Sequence, residues 1–377
     1  MNLSSFLPKI DLNKNKRVLI IHPFGIGDAL CMTPLIRALK KHGFQIDLLL
    51  GSRTRELFET NPNVHRIYEW DKSPLPSFEG KMKRFAAEVR LCYRLFRNRY
   101  QVVLDCSPTG QYLWLSALIF CIPVRVGFNF KNRGFLRTHT VPLADGFSNK
   151  PMVEYYLDLI RKIGIDPDDS DRHPEIFLSE ADNYEAQSYL DQHKISSSYM
   201  VAVPGGGESW GKDAWLKRWP VEYFASLIEV FFQKKLINDV IILGGRGDSE
   251  VCEKLNRKLQ GHSVINFCAK TSLRAAAFFL KRASFALAND GGLVHLAHAV
   301  KCPIVAFYGP VDPLVYGPYP KDSKAITLTS EGPACRPCYQ QFRYQNLCRG
   351  LECLYDLKPE HVLKKIDHTN FFASSRT

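Results

Sequence analysis

The chain has 377 residues, too long for one ordinary core and suited to two domains of roughly 150–200 residues each. Its content of 45% apolar and 23% charged residues excludes wholesale disorder and fibrous folds. Fifty Lys plus Arg against 38 Asp plus Glu leave a formal charge of +12, which points to an anionic partner: a phosphate, an acidic lipid surface or a nucleic acid.

The first residues, MNLSSFLPKIDLNKNK, lack an apolar core of signal-peptide length, so the chain is expected to be cytoplasmic. Residues 18–22 read as a buried strand, followed by the turn Pro23-Phe24-Gly25-Ile26-Gly27 and a helix over 28–42. Strands are expected at 45–50, 64–69 and 102–105, with a short helix at 54–60 and a longer one at 81–98. Residues 111–120 read as an apolar helix overlapping the longest charge-free, mostly apolar run, 112–122, which is shorter than the ~20 residues needed to span a bilayer. Short strands at 124–127 and 140–142 and a helix at 152–163 complete the first half.

A polar stretch at 166–173, with four Asp and a Pro over 166–171, marks a domain boundary. The alternation then restarts: strands at 199–203, 240–243, 284–288 and 303–307, with helices at 221–232, 249–259, 272–281 and 293–299. A further strand near 264–266 and a helix from about 358 follow the same reading. This alternation implies two doubly wound α/β domains: 1–172, 173–355 and a helical tail at 356–377. Ligands of such sheets sit at the carboxyl ends of the strands, and with two domains the expected site is a central cleft.

The glycine-rich turns fall at those strand ends. Gly25-Ile26-Gly27-Asp28 lacks the dinucleotide fingerprint, because Leu30 stands where its last glycine would be. Asp28 is either a helix N-cap or a general base exposed to ligand. Gly205, Gly206 and Gly207 present bare amides after a strand. Lys217 and Arg218 stand just before a helix, where a cation opposes the helix dipole unless an anion binds, or else form a solvated pair. Gly244-Gly245-Arg246-Gly247-Asp248-Ser249-Glu250 is a ribose-holding loop or a capped turn. In Asn289-Asp290-Gly291-Gly292-Leu293-Val294-His295 two glycines open a helix to an anion, with His295 one turn in. Asp290 beside such a helix makes more sense as an acceptor for sugar hydroxyls. Tyr308-Gly309-Pro310-Val311-Asp312-Pro313 is a rigid turn.

Of the 11 cysteines, Cys335, Cys338, Cys348 and Cys353 form one group whose spacing suits zinc or iron; the alternative is reduced, unliganded thiols. Residues 81–99 carry seven basic side chains against Glu88, a net of +6. Met82, Phe85, Val89, Cys92 and Phe96 share a face flanked by Lys83, Arg90, Arg94 and Arg97. That is a stripe for an anionic membrane surface or an ordinary core-facing helix. Arg125, Lys131, Arg133 and Arg137 form a second basic group, meeting acceptor phosphates or solvating a loop.

Taken together, GIGDALCMTP, PGGG…KRWP, ILGGRGDSE, NDGGLVHLAHAV and FYGPVDP, in that order over residues 17–320, resemble glycosyltransferase family 9, the heptosyltransferases of lipopolysaccharide assembly. The resemblance implies a GT-B fold and an inverting transfer, usually from ADP-heptose, without a catalytic metal. It implies Asp28 as catalytic base and Lys217 at the donor phosphates. The donor site would include Gly205, Gly206, Gly207, Arg218, Asp248 or Glu250, Asp290, Gly291, Gly292 and His295. Acceptor contacts would come from Gly27, Arg125, Arg133 and Arg137. Many relatives carry Thr or Ser at Gly291 and Thr at Val311, so a donor-site hydroxyl is missing here. The four grouped cysteines look similar to those of iron-bearing protein heptosyltransferases that modify autotransporters. Expected partners are a nucleoside-diphosphate sugar, a glycan or lipid-linked acceptor and an anionic inner-membrane surface, with oligomers allowed. The rivals are another nucleotide sugar or a protein acceptor on the same fold, and a metal-bearing assembly or nucleic-acid module. Nucleic acid is disfavoured because the basic residues gather in the acceptor domain.

Overall fold

The computed structural model describes residues 16–71, 78–108, 122–134, 136–207, 209–321, 324–345, 348, 350–369 and 371–374. The apolar helix expected over 111–120 lies outside them. The chain forms two compact units. The first takes in residues up to Phe24, then Met32–Phe147 and Val153–Arg172; the second takes in Gly25–Cys31, Ser148–Met152 and His173 onward.

In the first unit, β1 (Arg17–His22), β2 (Gln45–Leu50), β3 (Val64–Glu69), β4 (Val102–Asp105), β5 (Val124–Asn129) and β6 (His139–Pro142) form one parallel sheet in the order 3-2-1-4-5-6. Strands covered on both faces read as unbroken apolar runs, as Val18–Ile21 and Val102–Leu104 do. The helix expected over 28–42 is two helices, α1 (Ile26–Cys31) and α2 (Thr33–Lys41). Pro34, which has no amide hydrogen to give the preceding turn, stands just past the break at Met32. The short helix expected at 54–60 is only α3 (Ser52–Arg55). Then come α4 (Phe78–Arg97) and α5 (Met152–Arg161). From α4, Leu91 and Leu95 join Leu19, Ile21, Trp70 and Val103 in the core.

The second unit repeats the design. Strands β7 (Tyr199–Val203), β8 (Asp239–Ile242), β9 (Val264–Asn266), β10 (Phe285–Asn289), β11 (Ile304–Phe307) and β12 (Ala325–Leu328) are all parallel, ordered 9-8-7-10-11-12. The helix α6 (Glu180–Gln192) was not foreseen; Ser179 caps it, its hydroxyl accepting from the Asp182 amide while the Asp182 carboxylate accepts from the Ser179 amide. The remaining main helices are α7 (Val221–Gln233), α8 (Ser249–Lys258), α9 (Leu273–Arg282) and α10 (Gly292–Ala299). Trp219 anchors the core: it is wholly buried, stacks on Phe307 at 4.0 Å, and donates its indole N–H to the Leu357 carbonyl at 2.8 Å. Each sheet reverses strand direction of build-out at one point, between β1 and β4 and between β7 and β10, and ligands of open α/β sheets collect at such points.

Candidate active site

The second unit's reversal point is where the motifs converge. Gly205–Gly207 leave β7, and Asp290–Gly292 leave the adjacent β10. Asn289 ties the two ends together. Its side-chain carbonyl accepts from the Trp219 amide at 2.9 Å and its amide donates to the Pro204 carbonyl at 2.8 Å, all buried. This positions Lys217, at the end of a 3-10 turn over Gly211–Lys217, against Asp290: Nζ lies 2.9 Å from Oδ2. Both residues are buried, at 5% exposure each. A buried pair of this kind needs more than Coulomb attraction to justify its desolvation. The pair is an ion contact in which Asp290 Oδ2 accepts no well-directed hydrogen bond, so the three N–H donors of Lys217 are available to an anion. The ammonium also lies over the Trp210 ring, 5.2 Å from its centre.

The segment Gly25–Cys31, although it follows β1 in sequence, packs with the second unit against α10. The contact is close because glycines face it. A Cβ on Gly27 would stand 2.6 Å from His295 Cδ2, and one on Gly292 would stand 2.8 Å from Ile26 Cβ. Asp28 is half-buried and its surroundings withhold enough water to raise its carboxyl from 3.8 to about 6; its own backbone hydrogen bond and Lys217 pull the value down, and Asp290 pushes it up. A carboxylate poised there accepts protons well near neutral pH. His295 is driven the other way: burial lowers it to about 4, so it is neutral at physiological pH. Its Nδ1 lies 3.4 Å from Cys31 Sγ.

Other expected residues have different surroundings. Asp248 is 3% exposed; its carboxylate accepts from the Gly245 amide and Arg218, both at 3.1 Å, and a Cβ on Gly205 would collide with it. Arg218 also donates to the Gly247 carbonyl. Both residues are thus committed to holding the loop after β8, and as direct ribose or phosphate ligands they would have to leave these partners. Glu250 is exposed in the first turn of α8. In the first unit, Arg137 is buried and paired with Asp105 at 2.6 Å. Arg125 donates to the Leu136 and Ile122 carbonyls. Of the three expected acceptor arginines only Arg133 is exposed.

The zinc or iron expected at Cys335, Cys338, Cys348 and Cys353 finds no support. Among the described residues no three His, Cys, Asp or Glu side chains gather as metal ligands. Cys335 is exposed, Cys338 is pinned by its amide to the Pro310 carbonyl, and Cys353 is drawn into the core beside Leu354 and Leu357. Burial pushes the Cys338 thiol up to about 11, with Cys335 and Cys348 adding to the shift.

What this stretch does provide escaped the sequence. A hairpin of β13 (Tyr339–Gln340) and β14 (Arg343–Tyr344) hangs from Pro310, which accepts from the Cys338 and Tyr339 amides. Tyr339 stacks on Trp210 at 5.0 Å, and Tyr344 lies 5.7 Å from the same ring. The Tyr339 phenol is pushed up by burial and then by the charges of Asp28 and Asp290, which places it beside the site. Only its aromatic, turn-flanked setting after FYGPVDP could have hinted at this.

A model of glycosyltransferase family 9 (heptosyltransferase) matches residues 89–346. Lipopolysaccharide heptosyltransferase 2 of Salmonella typhimurium is 27% identical over 366 residues, 93% of this chain and 97% of that protein. Lipopolysaccharide heptosyltransferase 3 of Escherichia coli is 23% identical, covering 78% and 82%. Among solved structures, a family 9 glycosyl transferase from Veillonella parvula superposes with a TM-score of 0.74 at 20% identity, covering 96% of this chain and 98% of that one. The E. coli ADP-heptose heptosyltransferase II gives 0.71 at 22% identity, covering 96% and 100%. The two sheets therefore belong to the GT-B fold.

Proposed function

This chain belongs to glycosyltransferase family 9 and is a glycosyltransferase; on that footing we propose that it moves a heptose from ADP-heptose to a hydroxyl of a lipopolysaccharide core acceptor, with inversion at the anomeric carbon. The observation that carries the reading is Asp28: a carboxyl raised to about 6, in electrostatic contact with the Lys217–Asp290 pair in the same unit. The acceptor oxygen attacks the anomeric carbon and gives its proton to Asp28. The bond from that carbon to the phosphate oxygen breaks, and its electrons leave with the diphosphate. Base assistance of this kind contributes about 10²–10⁴-fold. The leaving group gains charge, so fixed donors at the amides of Gly291 and Gly292, together with the spare N–H groups of Lys217, act where charge develops. Asp290, holding Lys217, retains lone pairs for a sugar hydroxyl. Neutral His295 packs the site and does not compete as a cation. The lipid-linked acceptor places the enzyme at an anionic membrane face.

A second reading, another nucleotide sugar on the same machinery, is favoured by the missing hydroxyl. A Cβ on Gly291 would stand 3.3 Å from the Gly206 carbonyl oxygen, and Val311 is buried, so neither position supplies an OH to the donor. Turnover assays with ADP-, UDP- and GDP-linked sugars separate the two. ADP-heptose alone should support release of nucleoside diphosphate in the presence of deacylated core acceptor. Turnover with a UDP- or GDP-sugar and none with ADP-heptose would reject the donor assignment.

A further inference from the structure

Helix α4 has two apolar faces, and among the described residues only one has a partner. Leu91 and Leu95 are buried in the first unit's core at 9% and 4% exposure. On the opposite side Met82, Phe85, Val89, Tyr93 and Phe96 are 53%, 60%, 51%, 60% and 57% exposed. Nine large apolar side chains are exposed among the described residues, and five of them are on this helix. Scatter would not do that. At about 100° per residue the five fall within an arc of about 80°, a continuous ridge along the helix.

The edge of the ridge is cationic. Arg90, Arg94 and Arg97 are exposed on the adjoining arc, and the Arg97 guanidinium lies 5.8 Å from the centre of the Tyr93 ring. Over residues 82–97, which carry the ridge, the single acidic residue is Glu88, half-buried on the far flank. A ridge of large apolar groups with an arginine edge matches a bilayer interface in both respects. The rings enter the acyl boundary, while the guanidinium groups reach up to anionic headgroups. Charge complementarity decides between occupants. Antiparallel pairing with a second copy would lay two arginine edges side by side, and a neutral protein groove would leave them unanswered.

We propose that α4 is the membrane-docking element of this enzyme, seating its first unit on anionic phospholipid through Met82, Phe85, Val89, Tyr93 and Phe96 with Arg90, Arg94 and Arg97 at the headgroups. The proposal adds a named surface to the lipid-linked acceptor argued above and does not depend on the donor sugar.

The test uses the full chain and extruded vesicles of phosphatidylcholine alone or with about a third phosphatidylglycerol. Co-sedimentation should favour the anionic vesicles by roughly tenfold or more and weaken as salt rises. Phe85→Gln with Phe96→Gln, and separately the triple change Arg90→Gln, Arg94→Gln and Arg97→Gln, should each lower that binding by roughly tenfold. All these side chains are exposed, so thermal midpoints and turnover on deacylated, soluble acceptor should stay near the parent values. Equal binding to both vesicle types, unchanged binding of either variant, or concentration-dependent dimers abolished by the Phe85/Phe96 variant would overturn the proposal. Normal vesicle binding with no turnover on any nucleotide sugar would instead reject the functional reading and leave this surface standing.

Discussion

Replacing Asp28 with Asn should make the protein more stable while abolishing its turnover. The folded protein holds this carboxyl at about 6, against 3.8 without its surroundings. At about 1.4 kcal/mol per tenfold, that gap means the charged form is disfavoured in the fold by at most roughly 3 kcal/mol. Asp28 keeps some contact with water, so about 1–2 kcal/mol is the expected gain on installing a neutral isostere. For a unit of this size that raises the melting midpoint by about 2–8 °C. The pH dependence fixes the cause. With the folded value raised, the native state binds the proton more tightly than the unfolded chain. The penalty is therefore absent below pH 3.8 and grows as pH rises toward about 6, above which it is constant. Scanning calorimetry of parent and Asp28→Asn at pH 7.5 and pH 4 should give a clear upward shift at the first and little at the second. Meanwhile the variant should still bind ADP. A midpoint equal to or below the parent's at pH 7.5 would refute the claim that Asp28 is held desolvated, and with it the ground on which it is proposed as a base.

Lys217→Gln removes a charge that pulls the Asp28 carboxyl down, so the acid limb of kcat/KM should move to higher pH, and ADP affinity by calorimetry should fall roughly tenfold; an unmoved limb would separate the two residues. Asn289→Ala leaves the Trp219 amide and the Pro204 carbonyl buried without their partner and should cost about 2–4 kcal/mol in urea unfolding. Gly205→Ala drives a methyl to 2.1 Å from the Asp248 carboxyl carbon and should cost roughly 3 kcal/mol or more. Gly207→Ala, with φ of +69° but open space around it, should cost only about 1 kcal/mol; equal losses at the two glycines would contradict the geometry. His295 should remain a neutral imidazole by NMR until about pH 4, eroding stability as pH falls from 6.5 toward that value; a midpoint near 6.5 would mean the ring is wet.

Much of this was readable from the residues. Strands such as 199–203 and 285–289 are covered on both faces, so each appears as an apolar run ended by a glycine-rich turn, and the alternation with helices gives the parallel sheets. The elements that were missed lack such periodicity. Helix α6 buries only Ala186 and Leu190, too few to mark a face, although its Ser179–Asp182 cap was visible. The Tyr339–Tyr344 hairpin has no core of its own and is held by carbonyls of a distant turn. The Gly205-Gly206-Gly207 stretch signalled a ligand, but whether Arg218 and Asp248 face ligand or each other depends on the fold of the loop after β8, which no local pattern encodes. The roles of Asn289 and of Cys353 depend likewise on which strand ends and which core they adjoin.

The meeting of α1 and α10 has a consequence for anyone redesigning the protein. Gly27 admits the His295 ring and Gly292 admits the Ile26 side chain, so each motif is cut to the shape of the other although some 260 residues separate them. They form a lock with its key. A chimera that borrows GIGD from one relative and DGG from another inherits two halves of different locks, and the seat of the Asp28 carboxylate would be the first thing to go out of true.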